Sequence, residues 1–102
     1  MKIIYKHQAV IDIQQMQEYI ANVLKNKTAA RNFSKRILKD ISILKTNPCI
    51  GVSVQEKFLI TASLRMLVVD KQLVFYEVTD EETVTIIRVL DGRQDYLAIL
   101  LG

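Results

Sequence analysis

The sequence predicts an α+β domain in which the helices come first and most of the strands last. Three observations carry that expectation. Two consecutive segments, about Gln8–Leu24 and Ala29–Lys45, repeat apolar residues at the period of an α-helix. One short apolar run, Lys2–Lys6, precedes them. The stretch Arg65–Tyr96, RMLVVDKQLVFYEVTDEETVTIIRVLDGRQDY, is rich in Val, Ile, Phe and Tyr and is broken twice by short charged turns, the pattern of two β-hairpins in succession. The length, 102 residues, suits one domain. Half of those residues are apolar, enough for a core that needs no staple.

The elements follow in order. Ile3, Ile4 and Tyr5 make the first strand candidate. In the first helix Ala9, Ile13, Met16, Ile20 and Val23 or Leu24 form one stripe. Asn26, Lys27 and Thr28 interrupt the pattern, and Thr28 is expected to cap the second helix by accepting from a free backbone N–H. Ala30, Phe33, Ile37, Ile41 and Leu44 form the second stripe, Lys45 suits the C-terminal dipole, and Pro48 stops the helix. So short a link implies an antiparallel αα-hairpin. Asn47–Lys57, with Pro48 and Gly51, lacks a period and reads as a loop, and Phe58–Ile60 as the start of a strand. Ala62–Val69, Gln72–Thr79 and Thr83–Leu90 read as strands, and Asp95–Leu101 as a short closing helix.

A two-residue loop at Asp70-Lys71 would set Val69 opposite Gln72, Leu67 opposite Val74 and Arg65 opposite Tyr76, leaving Arg65 and Tyr76 on one face. The second turn allows two registers. A three-residue loop, Asp80–Glu82, sets Arg88 on the Tyr76 face, and a two-residue loop sets it on the other. The first is favoured because it gathers the arginines.

Charge is divided between the halves. Met1–Asn47 holds nine Lys/Arg against three Asp/Glu, and Pro48–Gly102 five against eight. An acidic partner or a nucleic acid is therefore drawn to the helices first. Cys49 is the one cysteine, so no internal disulfide forms, in keeping with a reducing cytoplasm; it reads as a small apolar filler beside Pro48. Neither a signal peptide nor a membrane-spanning run is expected. His7, the one histidine, stands at the start of the first helix and reads as local structure. No spaced His/Cys/carboxylate set supports a metal and no glycine loop suits a phosphate, so no cofactor is expected.

Strands this apolar fold without arginines, so Arg65, Arg88 and Arg93 ask for a reason. Arg88, among Ile86, Ile87, Val89 and Leu90, needs a partner if partly buried, and Asp91, Asp95 and Glu77 are the candidates. Arg93 follows Gly92 at the end of a loop, where function concentrates. Tyr76 reads as core with a wet hydroxyl, and Tyr96 as a tail anchor or a site residue.

These pieces lie in a recognisable order. Ala9-x-x-Asp12-Ile13 and Glu18-Tyr19-Ile20 mark the first helix, Ala29-Ala30 the second, and Pro48…Gly51 the loop. Arg65-Met-Leu-Val-Val, Leu73-Val-Phe-Tyr76 and Ile87-Arg88-Val-Leu-Asp-Gly-Arg93-Gln-Asp-Tyr96 follow. Together they resemble the RelE/ParE superfamily of bacterial toxins, ParE more closely than RelE. Asp91 departs from the histidine common in ParE sequences, and Gln94 from a second arginine. The resemblance implies a β-α-α-β-β-β fold, an antiparallel sheet packed on the αα-hairpin. It also implies a toxin of a type II (plasmid-stabilisation) module, neutralised in the cytoplasm by an acidic, partly disordered antitoxin. Lys35, Arg36 and Lys39 are expected to meet that antitoxin, and the assembly is a homodimer or a hetero-oligomer with it.

Within the superfamily ParE-type members bind DNA gyrase and trap it on cleaved DNA, which asks for a shaped, arginine-bearing surface. Arg65, Tyr76, Arg88, Arg93 and Tyr96 would supply it. RelE-type members cut messenger RNA on the ribosome and need a base, an acid and cations. Arg65, Arg88, Asp91, Arg93 and Tyr96 would then be catalytic, with Asp91 or Tyr96 moving protons. Leu67 and Gln72 stand where RelE has further basic residues, and the acidic balance of the strands opposes a grip on RNA. The gyrase poison is the preferred reading, the ribonuclease the second, and a non-toxic antitoxin-binding protein the third.

Overall fold

The computed structural model describes residues 1–58 and 63–101. Strand β1 (Lys2–Tyr5) leads into α1 (His7–Glu18), which opens into a π-helical turn at Tyr19–Val23. Helix α2 (Lys27–Ile41) ends in a 3₁₀ turn, Ser42–Lys45. Then come β2 (Val52–Ser53), α3 (Val54–Phe58), β3 (Arg65–Val69), β4 (Gln72–Asp80), β5 (Thr83–Asp91) and α4 (Tyr96–Leu101). The sheet order is β1-β5-β4-β3-β2.

The last three strands are neighbours, and the β3–β4 pairing is the one expected: Val69 faces Gln72, Leu67 faces Val74 and Arg65 faces Tyr76. The sheet is not wholly antiparallel, because β1 runs parallel to β5, with Ile3 opposite Val84. The helical hairpin between them is the crossover that a parallel pair requires.

The helix boundaries differ from expectation for physical reasons. The π turn, with Leu24 N–H bonded to the Tyr19 carbonyl at 3.1 Å, holds more residues per turn than an α-helix. Residues beyond it are set back around the axis. Val23 and Leu24, one of them expected to complete the buried stripe, are 62% and 57% exposed. Asn26 rather than Thr28 caps α2, its side-chain oxygen accepting from the Ala29 N–H at 2.9 Å. Lys25 before it holds φ 52°, a conformation disfavoured for any residue with a Cβ. The expected loop Asn47–Lys57 contains β2 and α3, and Phe58, expected to begin a strand, ends α3. Leu59, Ile60 and Ala62, the rest of the expected strand starts, lie outside the described residues.

Both sheet faces are covered. Ala9, Ile13, Ile37, Ile41 and Leu44 of the helical half pack on Val74, Tyr76, Val84, Ile86 and Val89. On the opposite face Val54, Met66, Leu73, Phe75 and Leu90 form a second cluster, with Tyr96 and Leu100 of α4 against it. Central strand β4 is therefore buried on alternate residues of both faces. Each fully buried large apolar side chain contributes roughly 1.5–3 kcal/mol of transfer free energy. Among the described residues no helix is long and apolar enough to cross a membrane.

Candidate functional site

The register between β4 and β5 positions the charged groups. Near the turn Val78 faces Val84 and Tyr76 faces Ile86, the register of the favoured three-residue loop. The turn itself closes on Asp80 opposite Thr83, and a second irregularity lies between Phe75 and Tyr76. Ile87 is the extra residue there, so Arg88 faces Phe75 rather than Val74. This corrects the expectation that Arg88 shares the Tyr76 face, because a bulge reverses the side-chain alternation beyond it.

The bulge matters because β1 pairs with β5 only from Thr83 to Ile86. Beyond Ile86 that edge of β5 has no strand beside it among the described residues, and α1 supplies Asp12 instead. The Asp12 carboxylate, 5% exposed, accepts from the Val89 backbone N–H at 3.0 Å. It also accepts from Arg88 Nε at 2.8 Å and Arg88 Nη2 at 3.0 Å. Gln8 Nε2 donates to it at 3.2 Å. Asp12, not Asp91, Asp95 or Glu77, is thus the partner of Arg88. The bidentate bonds hold the Arg88 guanidinium further above its ordinary pKa, against the opposing effect of burial.

Asp91 pairs with Arg93 instead. Arg93 donates to it from Nε at 3.1 Å, Nη2 at 2.9 Å and its backbone N–H at 2.8 Å. The Arg93 side-chain bonds, then its backbone N–H, hold the Asp91 carboxyl below its usual range. Gln94 Oε1 accepts the Asp91 N–H at 2.9 Å, and the Gly92 N–H is bonded to the Lys71 carbonyl at 2.8 Å. The chain is thereby fixed where it leaves β5.

Arg88, Asp91 and Arg93 line one open cleft of about 710 Å³ between the strand ends and the helical hairpin. Its other wall is apolar: Met16, Tyr19, Ile20, Leu24 and Phe33. The π turn forms the rim of that wall, and Tyr19 is 54% exposed beside Arg93.

The remaining expected site residues lie elsewhere. Tyr76 is fully buried; its hydroxyl donates to the Pro48 carbonyl at 2.7 Å and accepts the Gly51 N–H at 2.9 Å. Burial raises its pKa. Arg65 Nη2 donates to the Cys49 carbonyl at 3.3 Å, so this pair ties down the Pro48–Gly51 loop. Gly51 is required there, since a Cβ would lie 2.6 Å from the Tyr76 hydroxyl oxygen. Cys49 is exposed on this loop and is not an apolar filler. Tyr96 lies on the far face of the sheet, its ring 5.7 Å from that of Phe75. The six residues expected in the target surface or the ribonuclease site therefore occupy three places, and only Arg88, Asp91 and Arg93 come together. On α2, Lys35 and Lys39 are exposed, while Arg36 pairs with Asp40 at 3.7 Å and Asp70 at 3.8 Å.

Sequence reasoning gave Asp12 no role in the site, although it bonds across 76 residues of chain. The signal was present: Asp12 lies three residues after Ala9 and beside Ile13, on the buried stripe, where a carboxylate needs a cation. Among the described residues no group of His, Cys, Asp and Glu could hold a metal ion.

Comparison with known proteins follows the same lines. No curated protein matches the chain. A solved chain from the "Chromosomal ParDE TA system from P. aeruginosa" superposes with a TM-score of 0.74 at 16% identity, covering 89% of this chain and 95% of that one. At that identity the likeness is one of fold, and the α+β arrangement described above is consistent with it. The family model described as "ParE toxin of type II toxin-antitoxin system, parDE" matches residues 3–96. That span takes in both faces of the cleft and all but the first two and last six residues, and the chain belongs to the ParE toxin family of type II toxin–antitoxin systems.

Proposed function

We propose that this ParE-family chain inhibits DNA gyrase by binding it, and that a cognate acidic antitoxin neutralises it by covering the same cleft. The observation that carries the reading is the state of the charged groups lining that cleft. Arg88 is committed to Asp12 and Arg93 to Asp91. The Asp91 carboxyl is held below its usual range, which makes it a poor base, and both guanidiniums are held above theirs. General acid–base catalysis works best with groups that titrate near the operating pH. The one histidine, His7, is exposed at the start of α1 and lies outside the cleft lining. This set of residues suits recognition better than phosphodiester cleavage. Exposed Tyr19 and Arg93 beside an apolar wall are the residue types that anchor protein interfaces.

The antitoxin arm of the proposal draws on the ParDE system to which the fold is similar. Expression of the chain without its antitoxin tests both arms. The expected result is arrested growth with chromosomal breaks, reversed when a cognate acidic antitoxin is co-expressed. Primer extension on messages from a translating extract gives the opposing outcome. Cleavage within codons, with intact chromosomes, would assign the chain to ribosome-dependent ribonucleases. Tolerated expression with neither response would leave an antitoxin-binding protein without toxicity.

A further inference from the structure

The outer face of α2 carries a regular row of cations. Lys27, Arg31, Lys35 and Lys39 stand four residues apart, all are exposed, and none makes an ion pair among the described residues. On an α-helix this spacing is about 6 Å, so the row spans about 18 Å. Successive phosphates of a wound strand lie about 7 Å apart, from an axial rise of about 3.4 Å carried round the duplex surface. Exposed Thr28 and Asn32 flank the row and are hydrogen-bonding types suited to phosphate oxygens. The one acid on α2, Asp40, is engaged with Arg36 away from the row.

The same face is poor in the anchors that protein partners use. Leu38 is the one large apolar side chain exposed on α2 among the described residues. Exposed apolar groups concentrate instead at Tyr19, Val23 and Leu24, and at Ile43, Ile50 and Val68. Protein interfaces centre on buried aromatic or apolar anchors, whereas nucleic-acid surfaces are polar and strongly positive. We infer that the Lys27–Arg31–Lys35–Lys39 row of α2 binds the phosphodiester backbone of a double-stranded nucleic acid without reading its sequence. The inference goes beyond the proposed function and is independent of which target the toxin poisons.

Fluorescence anisotropy of labelled duplexes with the purified full chain, over a series of salt concentrations, tests it. Four neutralised phosphates give a slope of about −3.6 in log K against log [salt], or about a 150-fold loss of affinity between 50 and 200 mM salt. Lys35→Ala should reduce the slope by about 0.9, and alanine at all four positions should abolish salt-dependent binding. Arg36→Ala, on the paired side of the helix, should leave the slope unchanged. Circular dichroism confirms folding of each variant. DNA and RNA duplexes of equal length separate the two sources of the backbone, and tighter binding of either supports the row. No duplex binding at 50 mM salt overturns the inference, as does a slope that Arg36→Ala lowers as much as Lys35→Ala. Displacement of the duplex by poly-glutamate at equal charge concentration also overturns it, in favour of an acidic peptide.

Discussion

Replacing Asp12 by alanine should destabilise the chain more than any other single charge removal. The substitution leaves the Arg88 guanidinium without a counterion and the Val89 N–H without an acceptor. Breaking a buried ion pair from one side costs about 3–5 kcal/mol. The Arg88 side chain is 23% exposed and can turn toward water, which favours the lower end, about 3 kcal/mol. An orphaned buried N–H alone accounts for about 1–3 kcal/mol of such a cost. For a domain of this size the loss lowers Tm by about 12–24 °C. Asp12→Asn keeps an acceptor for Val89 and should cost less. Urea unfolding followed by far-UV circular dichroism is the assay, since the chain has no tryptophan. In the double variant with Arg88→Ala the losses should be less than additive by about 2 kcal/mol. A loss below about 1 kcal/mol for Asp12→Ala, or strict additivity, would refute the claim that this carboxylate closes the open edge of β5.

Four further outcomes follow from the geometry. Tyr76→Phe removes both bonds to the Pro48–Gly51 loop and should cost about 1–3 kcal/mol in the same assay, with faster proteolysis at that loop. Lys25→Gly relieves a left-handed backbone and should stabilise by about 0.5–1 kcal/mol, read as a rise in Tm. Asp91 and Asp80 have folded pKa values below their unfolded ones, so their stabilisation is present above about pH 4 and lost as pH falls through the folded values. Asp91→Asn should flatten that acid limb, while buried Tyr76 and half-buried Tyr5, raised by burial, lose theirs only as pH climbs past about 10. Arg93→Ala should leave stability within about 0.5 kcal/mol yet lower potency at least about tenfold in a growth-inhibition titration, the scale of an interface hot spot.

Much of this architecture was legible because its signals are local. The Asp70-Lys71 turn fixes the β3–β4 register, and Leu67, Val69 and Arg65 meet the partners that simple counting assigns. The β4–β5 register was legible only as far as Tyr76 and Ile86. The bulge at Ile87 answers to Asp12 on α1, a contact that no pattern within the strands announces. The π turn has no local signal for a similar reason. Val23 and Leu24 fit the helical period, and only the backbone bonds from Leu24 and Asn26 back to Tyr19 and Ile20 place them outside it. Elements β2 and α3 are too short to carry a period; β2 is held by pairing with β3, and α3 by Val54 packed in the cluster with Met66 and Phe75. The arginines stand out in the sequence by type alone. Which of them gather was decided by where their partners lie, Cys49 for Arg65 and Asp12 for Arg88.

The most direct measurement incubates the purified chain with DNA gyrase, ATP and a negatively supercoiled plasmid, then adds detergent and protease before electrophoresis. The account predicts linear plasmid that accumulates with toxin concentration, diminishes with Arg93→Ala and disappears when antitoxin is added first. Unbroken plasmid at every concentration, with supercoiling by gyrase unimpaired, would contradict it.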